Sequence, residues 1–168
     1  MGKMFQIRAA TPGDAQAIAH IYNQGIEDRI ATYETTLRSA EDIQGWFDGT
    51  HPIVVAEDDH GEIIAFASTS LYRPRPCYAG IAEFSVYVER TRRGGGIGRA
   101  TLAALLQEAE EAGFWKLVSR VFVENSASRA LLRSLGFREV GIYYKHAKLE
   151  GVWTDVVIVE RLLSANLA

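Results

Sequence analysis

The sequence predicts a mixed α/β (α+β) fold, one central sheet with helices on both faces, and three observations carry that prediction. Strand-like alternation and helix-start signals interleave along the chain in the order β-α-α-β-β-β-α-β-α-β-β. The composition is that of an ordinary globular domain, 48% hydrophobic and 23% charged over 168 residues, which argues against disorder and coiled coil. No repeat, low-complexity tract or Pro/Gly/Ser linker divides the chain, so a single domain over residues 1–168 is expected.

Phe5–Ala9 reads as the first strand. Thr11-Pro12-Gly13-Asp14 then opens a helix, with Thr11 as N-cap, Pro12 at the first helical position and Asp14 back-bonding as in a capping box. Ala15, Ile18, Ala19 and Tyr22 form its apolar face. Ser39-Ala40-Glu41-Asp42 repeats the signal before a short helix carrying Ile43, Trp46 and Phe47. Pro52–Glu57 and Glu62–Leu71 read as two strands around Asp58-Asp59-His60-Gly61, a hairpin. Ile81–Val88 is a further strand, a basic glycine-rich loop follows over Arg90–Gly96, and a helix runs from about Gly98 to Ala112. Trp115–Val123 is a strand, Ser126–Ser134 a helix, and Arg138–Lys145 and Val152–Leu162 a last pair around Glu150-Gly151.

Charge and cysteine usage exclude several function classes. The 18 basic and 21 acidic residues give a net charge of −3, and a general nucleic-acid binder needs a basic surplus, so no nucleic-acid partner is expected. Cys77 is the only cysteine, which rules out an internal disulfide and fits a reducing compartment. The four histidines lack zinc-ligand spacing, so no metal is expected. Met1-Gly2-Lys3-Met4-Phe5 does not read as a leader, and no stretch approaches a membrane span; a cytoplasmic protein is the expectation.

The segment from Val86 to Gly98 is the most informative. An apolar strand ends, a loop with three arginines and four glycines follows, and a helix begins. Helix starts present unpaired N–H groups and a partial positive charge, which attract phosphates. Glycines let a backbone approach an anion closely. A Walker A loop fails for want of Gly-Lys-Ser/Thr, and the dinucleotide fingerprint fails because Arg99 and Thr101 stand where its third small residue is needed. The pattern that fits is R-x-x-G-x-G, with Arg93, Gly96 and Gly98. A flexible basic loop that merely caps a helix is the plainer alternative.

With these residues the chain resembles the GNAT superfamily of N-acetyltransferases, whose pyrophosphate loop is R-x-x-G-x-G after the fourth strand. Asn125-x-x-Ser128-x-x-x-Leu132-x-x-x-Gly136-Phe137 extends the likeness along the chain. Ile21-Tyr22-Asn23, Ala31-Thr32-Tyr33-Glu34, Tyr72 to Tyr78, Ala82 to Val88 and Lys148…Trp153-Thr154-Asp155-Val156 narrow it to the phosphinothricin, methionine sulfoximine and arsinothricin acetyltransferases. The resemblance implies acetyl-CoA as co-substrate, lying where the sheet splays between its fourth and fifth strands. It implies that Arg93, Gly94, Gly95, Gly96, Ile97, Gly98 and Arg99 hold the pyrophosphate, that Phe84, Val86, Tyr87 and Val88 run beside the pantetheine arm, and that Asn125 and Ser128 face the cofactor. It also implies a homodimer, to which the apolar run Val156–Val159 is a candidate contributor, although a buried strand would read the same way.

An amine is protonated at neutral pH and must lose a proton before it can attack a thioester. Glu83 is the candidate base; strand alternation puts Glu83, Ser85 and Tyr87 on one face, and Glu83 and Ser85 are taken as the catalytic pair. A backbone N–H of the same strand would hold the oxyanion. A solvated glutamate on a half-buried strand is the bland alternative. Arg73, Arg75 and Tyr78, in a loop stiffened by Pro74 and Pro76, and the aromatic Tyr33 are the candidates for binding an anionic acceptor, since a guanidinium fork pairs bidentately with carboxylate, phosphinate or arsinate. Leu132 stands where many family members have a tyrosine acid, which leaves Tyr143, Tyr144 or water to return the proton. His146 reads as a surface histidine, and Cys77 lacks the frame of a nucleophile, so direct attack is expected. Competing readings are the same fold acting on a polyamine, an aminoglycoside or a protein N-terminus, and a non-catalytic acetyl-CoA-binding module.

Overall fold

The computed structural model describes residues 4–29 and 32–168. The strands are β1 (Phe5–Ala9), β2 (Ile53–Asp58), β3 (Ile63–Leu71), β4 (Ile81–Val88), β5 (Lys116–Phe122), β6 (Arg138–Leu149) and β7 (Val152–Leu162). They form one sheet in the order β1-β2-β3-β4-β5-β7-β6, antiparallel everywhere except between β4 and β5. The helices are α1 (Ala15–Asp28), α2 (Ala40–Gln44), α3 (Ile97–Glu111) and α4 (Ser126–Ser134). The element order and the mixed sheet are those expected from the sequence.

Both helix-start signals work as read. Asp14 Oδ2 accepts the Thr11 N–H at 2.8 Å while its carboxylate takes two bonds from Arg8, each at 2.9 Å. Pro12–Asp14 forms a 3₁₀ turn ahead of α1. At α2 the exchange is reciprocal: Ser39 N–H to Asp42 Oδ2 at 2.8 Å and Asp42 N–H to Ser39 Oγ at 3.1 Å.

The two sheet faces carry separate cores. Ile18 and Ile21 of α1 and Ile43 of α2 pack on Val55, Phe66 and Tyr87. Leu102, Leu105 and Leu106 of α3 pack on Val54, Ala67, Phe84, Leu117 and Val157, joined by Leu132 of α4. On β4 this separates Tyr87 from Ala82 and Phe84, the alternation expected of a strand covered on both sides.

The position of the site follows from one failure of pairing. β4 and β5 pair only over Ile81–Glu83 with Lys116–Val118. Beyond that, β4 stays with β3 up to Val88 and β5 stays with β7 up to Phe122, so a gap opens in mid-sheet. The Ser119 hydroxyl donates to the Phe84 carbonyl at 3.0 Å across its mouth.

The last hairpin differs from expectation in one respect. β6 continues past Lys145 to Leu149 through a register shift between Tyr143 and Ala147. Lys145 takes φ 47° there and its N–H bonds Asp155 Oδ1 at 2.7 Å. A bulge breaks the two-residue alternation, and the sequence pattern stops where the alternation does. Val156, Val157 and Val159 are buried inside the chain, because β7 lies between β5 and β6. They are core and not an outer surface; the exposed apolar side chains of this hairpin are Val140, Ile142, Tyr143, Tyr144, Val152, Trp153 and Leu162. Among the described residues no helix is long and apolar enough to cross a membrane.

Candidate active site

The gap between β4 and β5 is a narrow cleft of about 90 Å³ with Phe84–Tyr87 on one wall and Ser119–Phe122 on the other. Asn125, Ser128, Leu131 and Leu132 close one side from α4 and its start. The Phe84 carbonyl points into the gap toward Ser119, and the Val88 carbonyl accepts from Arg93 Nε at 3.4 Å on the same side. Alternation gives Val86 that orientation too, so its N–H and C=O face the gap and not β3. A ligand lying there meets strand-like backbone groups with no protein partner strand.

The cleft leads to the start of α3. Gly94 and Gly96 have φ 84° and 82°, a conformation that side chains rarely adopt, and no atom lies within 4 Å of where a β-carbon would sit on either. Gly96 is the N-cap of α3, so the N–H groups of the residues that follow point out of the helix end. The loop before it is pinned to α1. Gln24, buried, donates to Glu89 Oε1 at 3.0 Å and accepts the Arg90 N–H at 2.9 Å. Asp28 binds Arg90 at 3.0 Å and Arg93 at 2.9 Å; Arg90 first, then Arg93, holds its carboxyl below the usual range.

A second cavity, about 350 Å³, opens on the sheet face beyond α1. Its floor is built by alternation: Glu83 of β4, Lys116, Val118, Arg120 and Phe122 of β5, and Val156, Ile158 and Glu160 of β7. Val118 lies opposite Glu160, Arg120 opposite Ile158 and Phe122 opposite Val156. Tyr33, Tyr72 and Arg73 form one rim, and Tyr143 and His146, their rings 5.0 Å apart, belong to the other. Phe84, Ser85, Ser119, Arg120 and Phe122 line both spaces, so cleft and cavity meet at the end of the paired part of β4 and β5.

Its charges are unevenly matched. Glu160 is closed by Lys116 at 3.0 Å and Arg138 at 2.5 Å, and Arg138 first and Lys116 second hold its carboxyl low. Glu83 has a single ionic neighbour among the described residues, Arg120 at 3.8 Å. The Arg73 guanidinium stands 5.1 Å from the Tyr72 ring. The Tyr33 hydroxyl donates to Thr154 Oγ1 at 2.5 Å, which in turn donates to the Ala147 carbonyl at 3.0 Å, fixing the ring against Phe122. No group of three or more His, Cys, Asp or Glu that could hold a metal ion occurs among the described residues.

A sheet split between two parallel strands, with a glycine-rich helix start at the end of the split, now has its counterpart in sequence. Residues 16–137 match the Acetyltransferase (GNAT) family. The chain belongs to that family. It is 34% identical over 158 residues to an L-methionine sulfoximine/L-methionine sulfone acetyltransferase of Pseudomonas aeruginosa, covering 92% of each chain. Among solved structures, a GNAT superfamily phosphinothricin acetyltransferase of Sinorhizobium meliloti in complex with acetyl-CoA superposes with a TM-score of 0.88 at 30% identity, over 95% of this chain and 89% of that one. A ribosomal-protein-alanine N-acetyltransferase of Brucella melitensis superposes equally well, TM-score 0.88 at 35% identity, over 94% of this chain and 99% of the other.

In this GNAT chain the residues singled out from sequence divide into three groups. Phe84, Ser85, Val86, Asn125 and Ser128 line the cleft together, and Glu83, Tyr33 and Arg73 line the adjoining cavity. Asn125 also caps α4, accepting the Ser128 N–H at 3.1 Å. Tyr87 borders the cleft, but its ring is buried against Phe66 and Tyr22, and burial pushes its phenol well above the ordinary value. Arg99 lies past the helix start and bonds Ser134 Oγ at 3.1 Å. Arg75 and Tyr78 do not line the cavity. Arg75 is exposed at the start of the 3₁₀ turn Pro76–Tyr78, and Tyr78 sets its ring edge-on against Tyr72. Tyr72, Lys116, Arg120 and Glu160 are cavity residues that sequence reading passed over, and His146 joins them from its surface reading. The alternation Lys116, Val118, Arg120 on β5 was a usable signal; nothing in sequence tells which face of β5 continues that of Glu83.

Proposed function

We propose that this GNAT protein transfers an acetyl group from acetyl-CoA to the α-amino group of a small acidic, amino-acid-like compound of the phosphinothricin, methionine sulfoximine or arsinothricin type. The observation that carries the proposal is the meeting of the two spaces: a backbone-lined cleft running to a helix start, and a small cavity with Glu83 at the junction and Arg73 on its rim. A nucleotide-bearing thioester fits the first space. Gly94, Gly95 and Gly96 leave a helix start bare of side chains where a diphosphate would rest, and the gap offers Val86 and Val88 as pairing partners for an amide-bearing arm.

In this reading Arg73 draws the acceptor's carboxylate to the rim while Tyr33 packs over its body. Glu83 takes the proton from the acceptor ammonium, directly or through a water. The freed amine nitrogen bonds the acetyl carbon as the carbon–sulfur bond breaks. The Val86 N–H, facing the gap, stabilises the negative charge that develops on the thioester oxygen, and Ser85 lies beside the reacting atoms. Leu132 is 3% exposed and part of the core, so α4 supplies no acid. Of Tyr143 and Tyr144 only Tyr143 lines the cavity, and it or water returns a proton to the departing thiolate.

An anionic acceptor is favoured over a polyamine or a peptide terminus because Arg73 and Arg120 face the cavity, while Glu160 is already neutralised. The protein acts as a single domain on a small-molecule amine. The exposed apolar side chains of β6 and β7 suit a homodimer contact. Glu83→Gln tests the mechanism: turnover is expected to fall roughly 10²- to 10⁴-fold with acetyl-CoA binding retained. Turnover within a few-fold of wild type would remove Glu83 as the base.

A further inference from the structure

Arg120 projects from β5 onto the floor of the acceptor cavity, opposite Ile158 of β7 and diagonal to Glu83, whose own partner across the ladder is Val118. It lines both the cleft and the cavity, with its side chain 44% exposed. Its one ionic contact among the described residues is Glu83 Oε1 at 3.8 Å, beyond hydrogen-bond length, so the fork of the guanidinium is not spent on a protein acceptor. Other cations nearby are spent. Lys116, on the same strand face, is held by Glu160 at 3.0 Å, and Arg138 closes on the same carboxylate. Among the described residues the cavity therefore keeps two guanidinium groups with no carboxylate at hydrogen-bond distance, Arg73 on the rim and Arg120 on the floor, for an acceptor whose α-carboxylate needs one of them.

We propose that Arg120 is a specificity-determining residue that receives a second anionic group, at the side-chain end of the acceptor. The acceptor class is then an amino acid with a carboxylate at one end and a phosphinate, arsinate or carboxylate at the other. One ending in an uncharged sulfone or sulfoximine is used less well. This inference rests on the acetyl-transfer reading above. The physical basis is the asymmetry of polar recognition: a guanidinium on the cavity floor that faces a neutral group forgoes a charge-assisted bidentate contact worth more than an ordinary hydrogen bond.

The test compares kcat/KM for phosphinothricin and for methionine sulfone at saturating acetyl-CoA, in the wild type, R120Q and R120K, with thermal melts to confirm folding. The wild type is expected to prefer phosphinothricin. R120Q should lower that preference roughly 10- to 100-fold, mostly through KM for phosphinothricin, and R120K should restore part of it. Equal losses for both acceptors with a displaced acid limb of the pH–rate profile would mean that Arg120 acts through Glu83, and would overturn the proposal. So would an unchanged preference ratio, or a wild type that favours methionine sulfone. A wild type that acetylates neither compound but does acetylate spermidine or a peptide amine would overturn the acetyl-transfer reading itself, and this proposal with it.

Discussion

Replacing Gly96 by alanine places a β-carbon at the start of α3, where the account seats the diphosphate of acetyl-CoA. Gly96 has φ 82°, so any other residue is strained there, at roughly 1–2 kcal/mol. For a chain of this size that strain lowers the melting temperature by roughly 2–8 °C. Gly113, just past the other end of α3, is a matched control. Its φ is 95° and, as at Gly96, nothing lies within 4 Å of an added β-carbon. Gly113→Ala therefore carries a similar backbone cost at a place remote from the proposed site. Both variants should melt lower by comparable amounts, while only Gly96→Ala weakens the donor. Losing one charge-assisted N–H contact raises its KM roughly 10- to 100-fold. Melting curves and thiol-release kinetics at varied acetyl-CoA measure the two effects separately. Equal donor KM values for Gly96→Ala and Gly113→Ala, despite matched loss of stability, would refute the reasoning that the helix start holds the diphosphate.

Three further outcomes follow from the same geometry. Arg73→Ala should raise the acceptor KM roughly 10- to 100-fold with the acetyl-CoA KM little changed, whereas Arg75→Ala, outside the cavity, should have the smaller effect; steady-state kinetics on both decide, and the reverse order would return the substrate contact to Arg75. Asp14→Asn should destabilise the fold by about 1–2 kcal/mol at pH 7, since Arg8 foremost holds the Asp14 carboxyl low. A carboxyl lowered in the folded state gives stability above its unfolded pKa and loses it as pH falls through the folded value, so wild type and Asp14→Asn should converge in denaturant titrations below about pH 4. Leu132→Ala, which empties a core position that also borders the cleft, should cost about 2–5 kcal/mol by chemical denaturation and leave the pH–rate profile in place, because the position supplies no proton.

The parts of the fold set by local chemistry were legible in the sequence. Thr11–Asp14 and Ser39–Asp42 announce helix starts through short side-chain bonds that any chain with those residues can make. β4 and α4 fell at their observed bounds because alternation and an amphipathic period persist to their ends. β6 was read short because the bulge at Lys145 interrupts alternation without ending the ladder. Within the site, Glu83 and the glycine loop were legible because residue type and context lie close together in the chain. Arg120 was not, since its meaning depends on β5 lying beside β4, a parallel contact 35 residues distant for Glu83↔Val118. Nor could the chain's order tell Arg73 from Arg75. They are two residues apart in a proline-rich loop, both exposed, and ahead of the 3₁₀ turn at Pro76–Tyr78 only Arg73 lines the cavity.

The central claim is acetyl transfer to an anionic amino-acid-like amine, and thiol release from acetyl-CoA across a small acceptor panel tests it most directly. With phosphinothricin, methionine sulfoximine, arsinothricin, glutamate, spermidine and a peptide amine offered in parallel, the account predicts release with the tetrahedral glutamate analogues and little with the cationic or peptide amines. Release only with spermidine or the peptide would leave the family and the donor cleft standing and contradict the anionic acceptor site.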